Sequence, residues 1–166
     1  SEYFMALKTS ARKVKTPYFI YVDSDDQIPE RLELPSSDSG LLYGDFFIKT
    51  GKVVSRVKSS DFNQDKFLTN PFMMHNAIYD TDKARKVLEK IGILSFSPKL
   101  IFTYFVAKLF GSNYNKDFVA IWDKGNSLGM HSKKSILLAD IKEYIEKNQE
   151  RLTYVINPPP EEEEVL

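Results

Sequence analysis

The chain has 166 residues, of which 42% are hydrophobic and 28% charged, and its formal net charge is zero. This size is typical of one globular domain, and the absence of cysteine excludes disulfides, thiolate zinc sites and cysteine nucleophiles and suits a reducing, cytoplasmic compartment. Without the four glutamates at residues 161–164 the formal charge is +4, which fits a phosphate-bearing ligand but not the basic stripe of a nucleic-acid binder, so no nucleic-acid partner is expected.

The first part of the chain predicts a helix, a strand and an acidic turn. Apolar residues recur at helical spacing over residues 4–14, and the apolar residues 18–22 then predict a strand. Asp23, Asp25 and Asp26 follow this strand directly. Carboxylates held this close repel one another unless a proton or a metal ion offsets their charge, and their hard oxygens suit Mg²⁺ or Mn²⁺. Ligands of open α/β sheets bind beyond the strand ends, although a polar turn after an edge strand would give the same pattern.

The remaining chain alternates strand-like and helix-like patterns, as in an α/β domain. Strands are predicted at residues 42–48, 52–57, 72–79 and 118–122. Helices are predicted at residues 28–32, 81–90, 97–110 and 135–148. The longest apolar run, residues 100–110, contains Lys108 and is far shorter than the roughly 20 residues that span a bilayer, so no transmembrane segment is expected. We expect one domain at residues 1–156 and a disordered Pro/Glu tail at residues 157–166.

Several short motifs follow one another in a specific order. They are Asp23-Ser24-Asp25-Asp26, Pro29-Glu30-Arg31-Leu32, Leu42-Tyr43-Gly44-Asp45, Asn70-Pro71-Phe72 with the run to Tyr79, and Gly129-Met130-His131-Ser132. Over residues 6–134 this order resembles glycosyltransferase family 2, a group of nucleotide-sugar transferases with the GT-A fold. The resemblance implies a Rossmann-related α/β fold, a mixed sheet flanked by helices. The N-terminal strands that bind the nucleotide base have no counterpart, so we expect a partial catalytic domain, the later part of a longer enzyme.

The resemblance also implies a reaction and a set of site residues. The reaction is the metal-dependent transfer of a sugar from a nucleoside-diphosphate sugar, most simply a UDP-sugar, to a saccharide or another hydroxyl acceptor. The implied ligands of Mn²⁺ or Mg²⁺ are Asp25, Asp26 and His131. The implied donor-binding residues are Asp23, Asp25, Arg12 and Lys133. The implied acceptor-side residues are His75, Asn76 and Trp122.

Four of these side chains also have a simpler interpretation. His75 lies inside an apolar run and would suit a hydrogen-bonded core histidine. His131 would suit a solvated loop and Arg12 a solvated helix surface. A single tryptophan near a strand end, such as Trp122, is often a core residue.

The general base of the reaction is not evident from the sequence. Inverting members of the family carry an acidic pair at the start of the helix that corresponds to residues 97–110, and this helix has no carboxylate. Asp117 and Asp123 are the remaining candidates for the group that takes the acceptor proton. The alternatives are a retaining enzyme or an inactive domain. The absence of the family's QxxRW pattern argues against a processive polysaccharide synthase.

Two rival functions remain open. A phosphatase or phosphotransferase with an aspartate nucleophile would use Asp23 as nucleophile and Asp25 as acid–base. Two features of the chain argue against that class. It usually has Thr or Val at the position of Gln27, and it needs a later GDxxxD acid pair, whereas Gly44-Asp45 is followed by Lys49 where the second acid is required. The other rival is a binding module that has kept the GT-A fold without catalysis, which the missing acidic pair favours and the acid cluster opposes.

Overall fold

The computed structural model describes residues 2–24, 26–92, 97–123 and 134–161, which form a mixed α/β fold. The helices are α1 (Glu2–Lys13), α2 (Gln64–Thr69), α3 (Thr81–Lys90), α4 (Pro98–Phe110) and α5 (Lys134–Ile156). The strands are β1 (Tyr18–Ile20), β2 (Asp26–Gln27), β3 (Leu41–Tyr43), β4 (Phe46–Thr50), β5 (Val53–Val57), β6 (Ile78–Asp80), β7 (Ser112–Tyr114) and β8 (Ala120–Asp123). Within this part of the chain, no helix combines the length and apolar character that crossing a membrane requires.

The strands form two mixed sheets of four strands each. The first, which we call the helix-backed sheet, has the order β1-β6-β3-β7, with β6 antiparallel to β1 and β3 and with β3 parallel to β7. Strands β1, β3 and β7 therefore point the same way. The second, the hairpin sheet, has the order β2-β8-β4-β5, in which β8 runs antiparallel to β2 and parallel to β4. The expectation of an α/β fold with a mixed sheet and flanking helices is confirmed at this level, with two sheets in place of one.

The core lies between the helices and one face of the helix-backed sheet. Side chains alternate along the strands. Leu41, Tyr43 and Tyr79 are buried in the main core, whereas Leu42 and Ile78 belong to a small cluster on the other face. The main core is completed by apolar residues of α1, α3, α4 and α5, so these helices fix the position of the sheet.

Two helices begin and end where their local signals predict. The side chain of Asp80 accepts a hydrogen bond from the backbone N–H of Lys83 at 3.0 Å and caps α3. The helix ends at Lys90 as predicted, but the cap lies one residue before the Thr81-Asp82 pair that the sequence favours for it. Helix α4 starts with Pro98, which has no backbone N–H that would stay unpaired in the first turn. It stops at Gly111, whose φ is +84°. Helix α5 is longer than predicted and reaches Ile156, since no Gly or Pro interrupts the sequence before Pro158.

The prediction of one strand over residues 42–48 is wrong. The chain leaves the helix-backed sheet after Tyr43 and enters the hairpin sheet at Phe46. Gly44 makes this crossing possible, because a β-carbon there would lie 1.7 Å from the carbonyl oxygen of Phe118 and 2.5 Å from that of Asn115. A glycine in a strand pattern is a known sign of such a close backbone approach.

The predicted strand over residues 72–79 is also wrong in its first part. Residues 71–76 form successive turns, in which the N–H of Met73 donates to the carbonyl of Asn70 and the N–H of His75 to that of Phe72. Asn76 closes the turns with a φ of +54°, and only Ile78–Asp80 form the strand. The short helix predicted at residues 28–32 does not form either.

Candidate functional site

The acidic turn lies at the carboxyl end of β1, as the sequence predicts. The backbone N–H of Asp26 donates to the carbonyl of Asp23 at 3.0 Å, which closes a turn between the two residues. The side chain of Asp26 has no exposed surface, whereas Asp23 is exposed. Asp26 also begins β2 and lies opposite Trp122 of β8, so the turn connects the helix-backed sheet with the hairpin sheet.

His75 and Asn76 reach the acidic turn from a segment about 50 residues away. Strand β6 is antiparallel to β1, with Ile78 opposite Ile20, so the residues before β6 adjoin those after β1. His75 Nε2 lies 3.0 Å from Asp26 Oδ2, and Asn76 Nδ2 lies 3.5 Å from the same oxygen. The sheet topology thus brings Asp26, which the sequence analysis assigns to the metal, together with His75 and Asn76, which it assigns to the acceptor side.

Asn76 combines backbone strain with an unsatisfied polar atom. It is a non-glycine residue with a positive φ, and only 1% of its surface is exposed. Its buried Oδ1 has no hydrogen-bond partner among the described residues. Such features concentrate at functional sites, where a bound group satisfies the atom or the strain positions a side chain.

His75 is enclosed by aromatic rings and is uncharged at neutral pH. Its ring lies 5.0 Å from that of Trp122, at an angle of 32°, and 5.5 Å from that of Phe46. Burial, with a smaller effect from the charge of Lys99, lowers the pKa of His75 to about 4, against the opposing effect of Asp23. The neutral ring donates through Nε2 to Asp26, because a carboxylate can only accept.

This pKa makes the stability of the protein dependent on pH. Since the pKa of His75 is about 4 in the folded protein and 6.5 as its ordinary value, folding disfavours the charged ring. The resulting stability is fully present above pH 6.5 and is lost as the pH falls towards 4. We therefore compare the wild type with His75→Gln by urea unfolding at about pH 7 and about pH 5. When the pH is lowered over this range, the free energy of unfolding should fall by roughly 2 kcal/mol more in the wild type than in the variant. Equal falls in both proteins would contradict the assignment.

Lys99 is the fifth residue of this cluster, and it comes from the first turn of α4. Its Nζ donates to the carbonyl of Tyr21 at 3.5 Å. Tyr21 follows β1, and its own hydroxyl donates to the carbonyl of Leu7 at 2.5 Å, which holds this end of the strand against α1. Burial lowers the pKa of Lys99, whereas Asp23 and Asp26 raise it, so its ammonium lies in the field of both carboxylates. We call Asp23, Asp26, His75, Asn76 and Lys99 the acid site.

Other residues proposed from the sequence lie elsewhere or outside the described residues. Arg12 donates to both carboxylate oxygens of Glu89, at 2.7 and 2.9 Å, on the exposed surface between α1 and α3. Asp117 is exposed in the turn after β7. Asp123 is the last residue of β8 and directly follows Trp122, in register with Lys49 of β4. Residues of the predicted set that lie outside the described ranges are Asp25, His131 and Lys133.

The structure gives Asp45, part of the phosphatase alternative, a set of structural partners. Its carboxylate accepts hydrogen bonds from Arg56 at 2.9 Å, from the N–H of Ser59 at 2.8 Å and from the hydroxyl of Tyr114 at 2.5 Å. Burial raises the pKa of Asp45, but these hydrogen bonds outweigh it and hold the pKa below its ordinary value. Asp45, which directly precedes β4, therefore links the start of that strand to β5 and β7, and its partners differ from those of the acid site.

The described residues alone do not form a complete metal centre. Among residues 2–24, 26–92, 97–123 and 134–161, no group of three or more His, Cys, Asp and Glu side chains could hold an ion.

Comparison of the chain with known family models, with curated protein sequences and with solved structures gave no match. A functional assignment therefore depends on the residues of the acid site and their geometry.

Sequence reasoning missed Lys99 as a site residue. It is 78 positions from Tyr21 along the chain, so no local pattern links the two. The sequence offers one indication, which is the missing acidic pair. The resemblance implies acids at the start of this helix, and Lys99 stands there instead.

Proposed function

We propose that this chain is a glycosyltransferase domain that binds a nucleoside-diphosphate sugar, most simply a UDP-sugar, at the acid site. The observation that supports this most directly is the contact between Asp26 and His75, 3.0 Å apart and enclosed beyond the carboxyl end of β1. The crevice beyond such strand ends is where α/β sheets bind ligands, and oriented carboxylates there suit a metal-bound diphosphate.

The chemistry of these side chains fits Mg²⁺ or Mn²⁺. Asp23 offers an exposed carboxylate, and Asp26 is held in place by His75, as hydrogen-bonded partners hold carboxylates at metal sites. Mg²⁺ commonly takes one or two protein carboxylates and completes its shell with phosphate and water oxygens, so a cluster of three protein ligands is not required. Asp25 and His131 are further candidate ligands from the sequence. A bound cation supplies positive charge to the departing diphosphate.

The residues around the acid site have distinct proposed roles. His75 and Asn76 orient Asp26 through neutral N–H groups, which do not cancel the negative charge of its carboxylate. Trp122, which packs on His75, offers a ring for the sugar or the acceptor. Asp123, the last residue of β8, is less exposed than Asp117 and is the candidate to take the proton of the acceptor hydroxyl as that oxygen attacks the sugar carbon.

One observation favours a second candidate, a sugar-nucleotide-binding module without catalysis. The start of α4 provides Lys99 where the resemblance implies an acidic pair, and an ammonium cannot accept the proton of an acceptor. Binding of the donor would then be retained without transfer.

A panel of nucleotide sugars tests the proposal. Thermal unfolding is measured with each compound in Mn²⁺ or in EDTA, and release of free nucleoside diphosphate is followed in the same samples. We expect a UDP-sugar to raise the unfolding temperature in Mn²⁺ and not in EDTA, with slow release of UDP. Stabilisation without release supports the binding module, whereas hydrolysis of a phosphomonoester with no nucleotide-sugar binding supports the phosphatase. No stabilisation by any nucleotide sugar contradicts the proposal.

A further inference from the structure

We infer that Lys99 is a diphosphate-binding residue, whose ammonium contacts the phosphate side of a ligand that the carboxylates hold through a cation. This inference rests on the proposed function and adds a residue and a charge arrangement to it. On this inference, the start of α4 contacts the diphosphate leaving group and not the acceptor.

The hydrogen bonding of Lys99 leaves room for a ligand. An ammonium has three N–H donors, and for Lys99 the one hydrogen bond within the described part of the chain is the long contact of 3.5 Å with Tyr21. Its side chain is partly enclosed, so solvent satisfies the other donors less well than at the surface. Phosphate oxygens are natural partners for an ammonium of this kind.

The charges of the acid site explain why a cation has to accompany the phosphate. The carboxylates of Asp23 and Asp26 outnumber the single ammonium of Lys99, so a diphosphate alone is repelled. A divalent cation on the carboxylates reverses the sign of the site. Lys99 and the cation then both attract the diphosphate. Asn76 Oδ1, which has no hydrogen-bond partner within the described ranges, adds a buried acceptor to the same surroundings.

A purely structural role for Lys99 makes a different prediction. If Lys99 only secured Tyr21, replacing it would weaken the binding of every ligand together with the fold. If it binds phosphate, its loss weakens diphosphate binding but not the binding of the cation alone, because the carboxylates lose a competing positive charge. The two effects have opposite signs, which separates the two roles.

Isothermal titration of Lys99→Gln with Mn²⁺ alone, and with inorganic pyrophosphate in saturating Mn²⁺, tests the inference. The glutamine side chain stays polar and is one bond shorter than lysine, and the contact that it gives up with the Tyr21 carbonyl is a long one of 3.5 Å, so we expect folding to be retained. Pyrophosphate affinity should fall roughly 10- to 100-fold, the cost of one charged hydrogen bond, while Mn²⁺ affinity stays equal or rises. Lys99→Arg should keep pyrophosphate affinity within about 3-fold of the wild type, because the positive charge remains.

Lys142→Met, which removes an exposed lysine of α5, is the matched control and should leave both affinities unchanged. Unchanged pyrophosphate affinity in Lys99→Gln overturns the inference, as does an equal loss for Mn²⁺ and pyrophosphate. The proposed function is tested separately by UDP in Mn²⁺. If the wild type and Lys99→Gln bind UDP equally well, the role of Lys99 is refuted and the proposed function is not. If the wild type binds neither UDP nor pyrophosphate, the role of Lys99 and the proposed function are both refuted.

Discussion

Asp26→Asn is expected to weaken the binding of UDP in the presence of Mn²⁺ by about 100-fold, because it removes one negative charge from the site of the cation. The substitution keeps the shape of the side chain. Asn Oδ1 can still accept the hydrogen bond from His75 Nε2, so the buried donor stays satisfied. The temperature of unfolding should therefore remain within about 3 °C of the wild type. Isothermal titration with UDP and Mn²⁺, paired with calorimetric unfolding, measures both quantities.

The matched control for this prediction is Asp82→Asn. It also removes one carboxylate, but from a side chain of α3 that is 89% exposed and only loosely paired with Arg85. We expect wild-type affinity for UDP in this variant. Wild-type affinity in Asp26→Asn as well would show that Asp26 has no part in ligand binding.

Gly44→Ala is expected to lower the free energy of unfolding by at least about 3 kcal/mol. The new methyl group would lie 1.7 Å from the carbonyl oxygen of Phe118, and neither backbone can move freely. The N–H of Asn115 donates to the carbonyl of Tyr43 at 2.9 Å beside this contact, and Asp45 is held by three partners immediately after it. The methyl group therefore forces apart the crossing between the two sheets. Urea unfolding followed by circular dichroism measures the change.

Gly92→Ala provides the control for this experiment. A β-carbon added at Gly92 would meet no heavy atom of the described residues within 4 Å, and the φ of Gly92 is not in the left-handed region. We expect a change in stability within about 0.5 kcal/mol. If Gly44→Ala unfolds at the same urea concentration as Gly92→Ala, the close approach at Gly44 is not present in solution.

The helices of this protein are predicted well because their signals are local. The end of α3 at Lys90 follows from the run of helix-forming residues that stops before Gly92, whereas the cap is Asp80 and not the Thr81-Asp82 pair that the sequence pattern favours. Pro98 and Gly111 mark the two ends of α4 in the same way. The acidic turn after β1 is also local, since an apolar strand that ends in aspartates can be read without knowledge of its neighbours.

The parts that sequence reasoning missed depend on contacts between distant segments. Residues 42–48 look like one strand, and only the approach of Phe118 shows that Gly44 is a crossing between sheets. Residues 71–76 look like buried strand, but successive turns place His75 and Asn76 against Asp26. Nothing in the local pattern distinguishes apolar residues in tight turns from apolar residues in a strand.

The acid site therefore differs from the site expected from the resemblance in one respect that matters for mechanism. The carboxylates that would hold a cation are accompanied by a lysine at the start of α4, where the resemblance implies acids. This arrangement favours retention of a diphosphate over deprotonation of an acceptor at that position. Any transfer would then depend on a base from another element, and Asp123 at the end of β8 is the candidate.

The fluorescence of Trp122 gives the most direct test of the central claim that the acid site binds a cation together with a diphosphate. Trp122 is the single tryptophan of the chain, and its ring lies 5.0 Å from His75, which contacts Asp26. Paramagnetic Mn²⁺ bound at the acid site should quench this fluorescence in a saturable way that UDP strengthens, and diamagnetic Mg²⁺ should not. The quenching should disappear in Asp26→Asn. Quenching that does not saturate, or that is the same in Asp26→Asn and without UDP, would contradict the account.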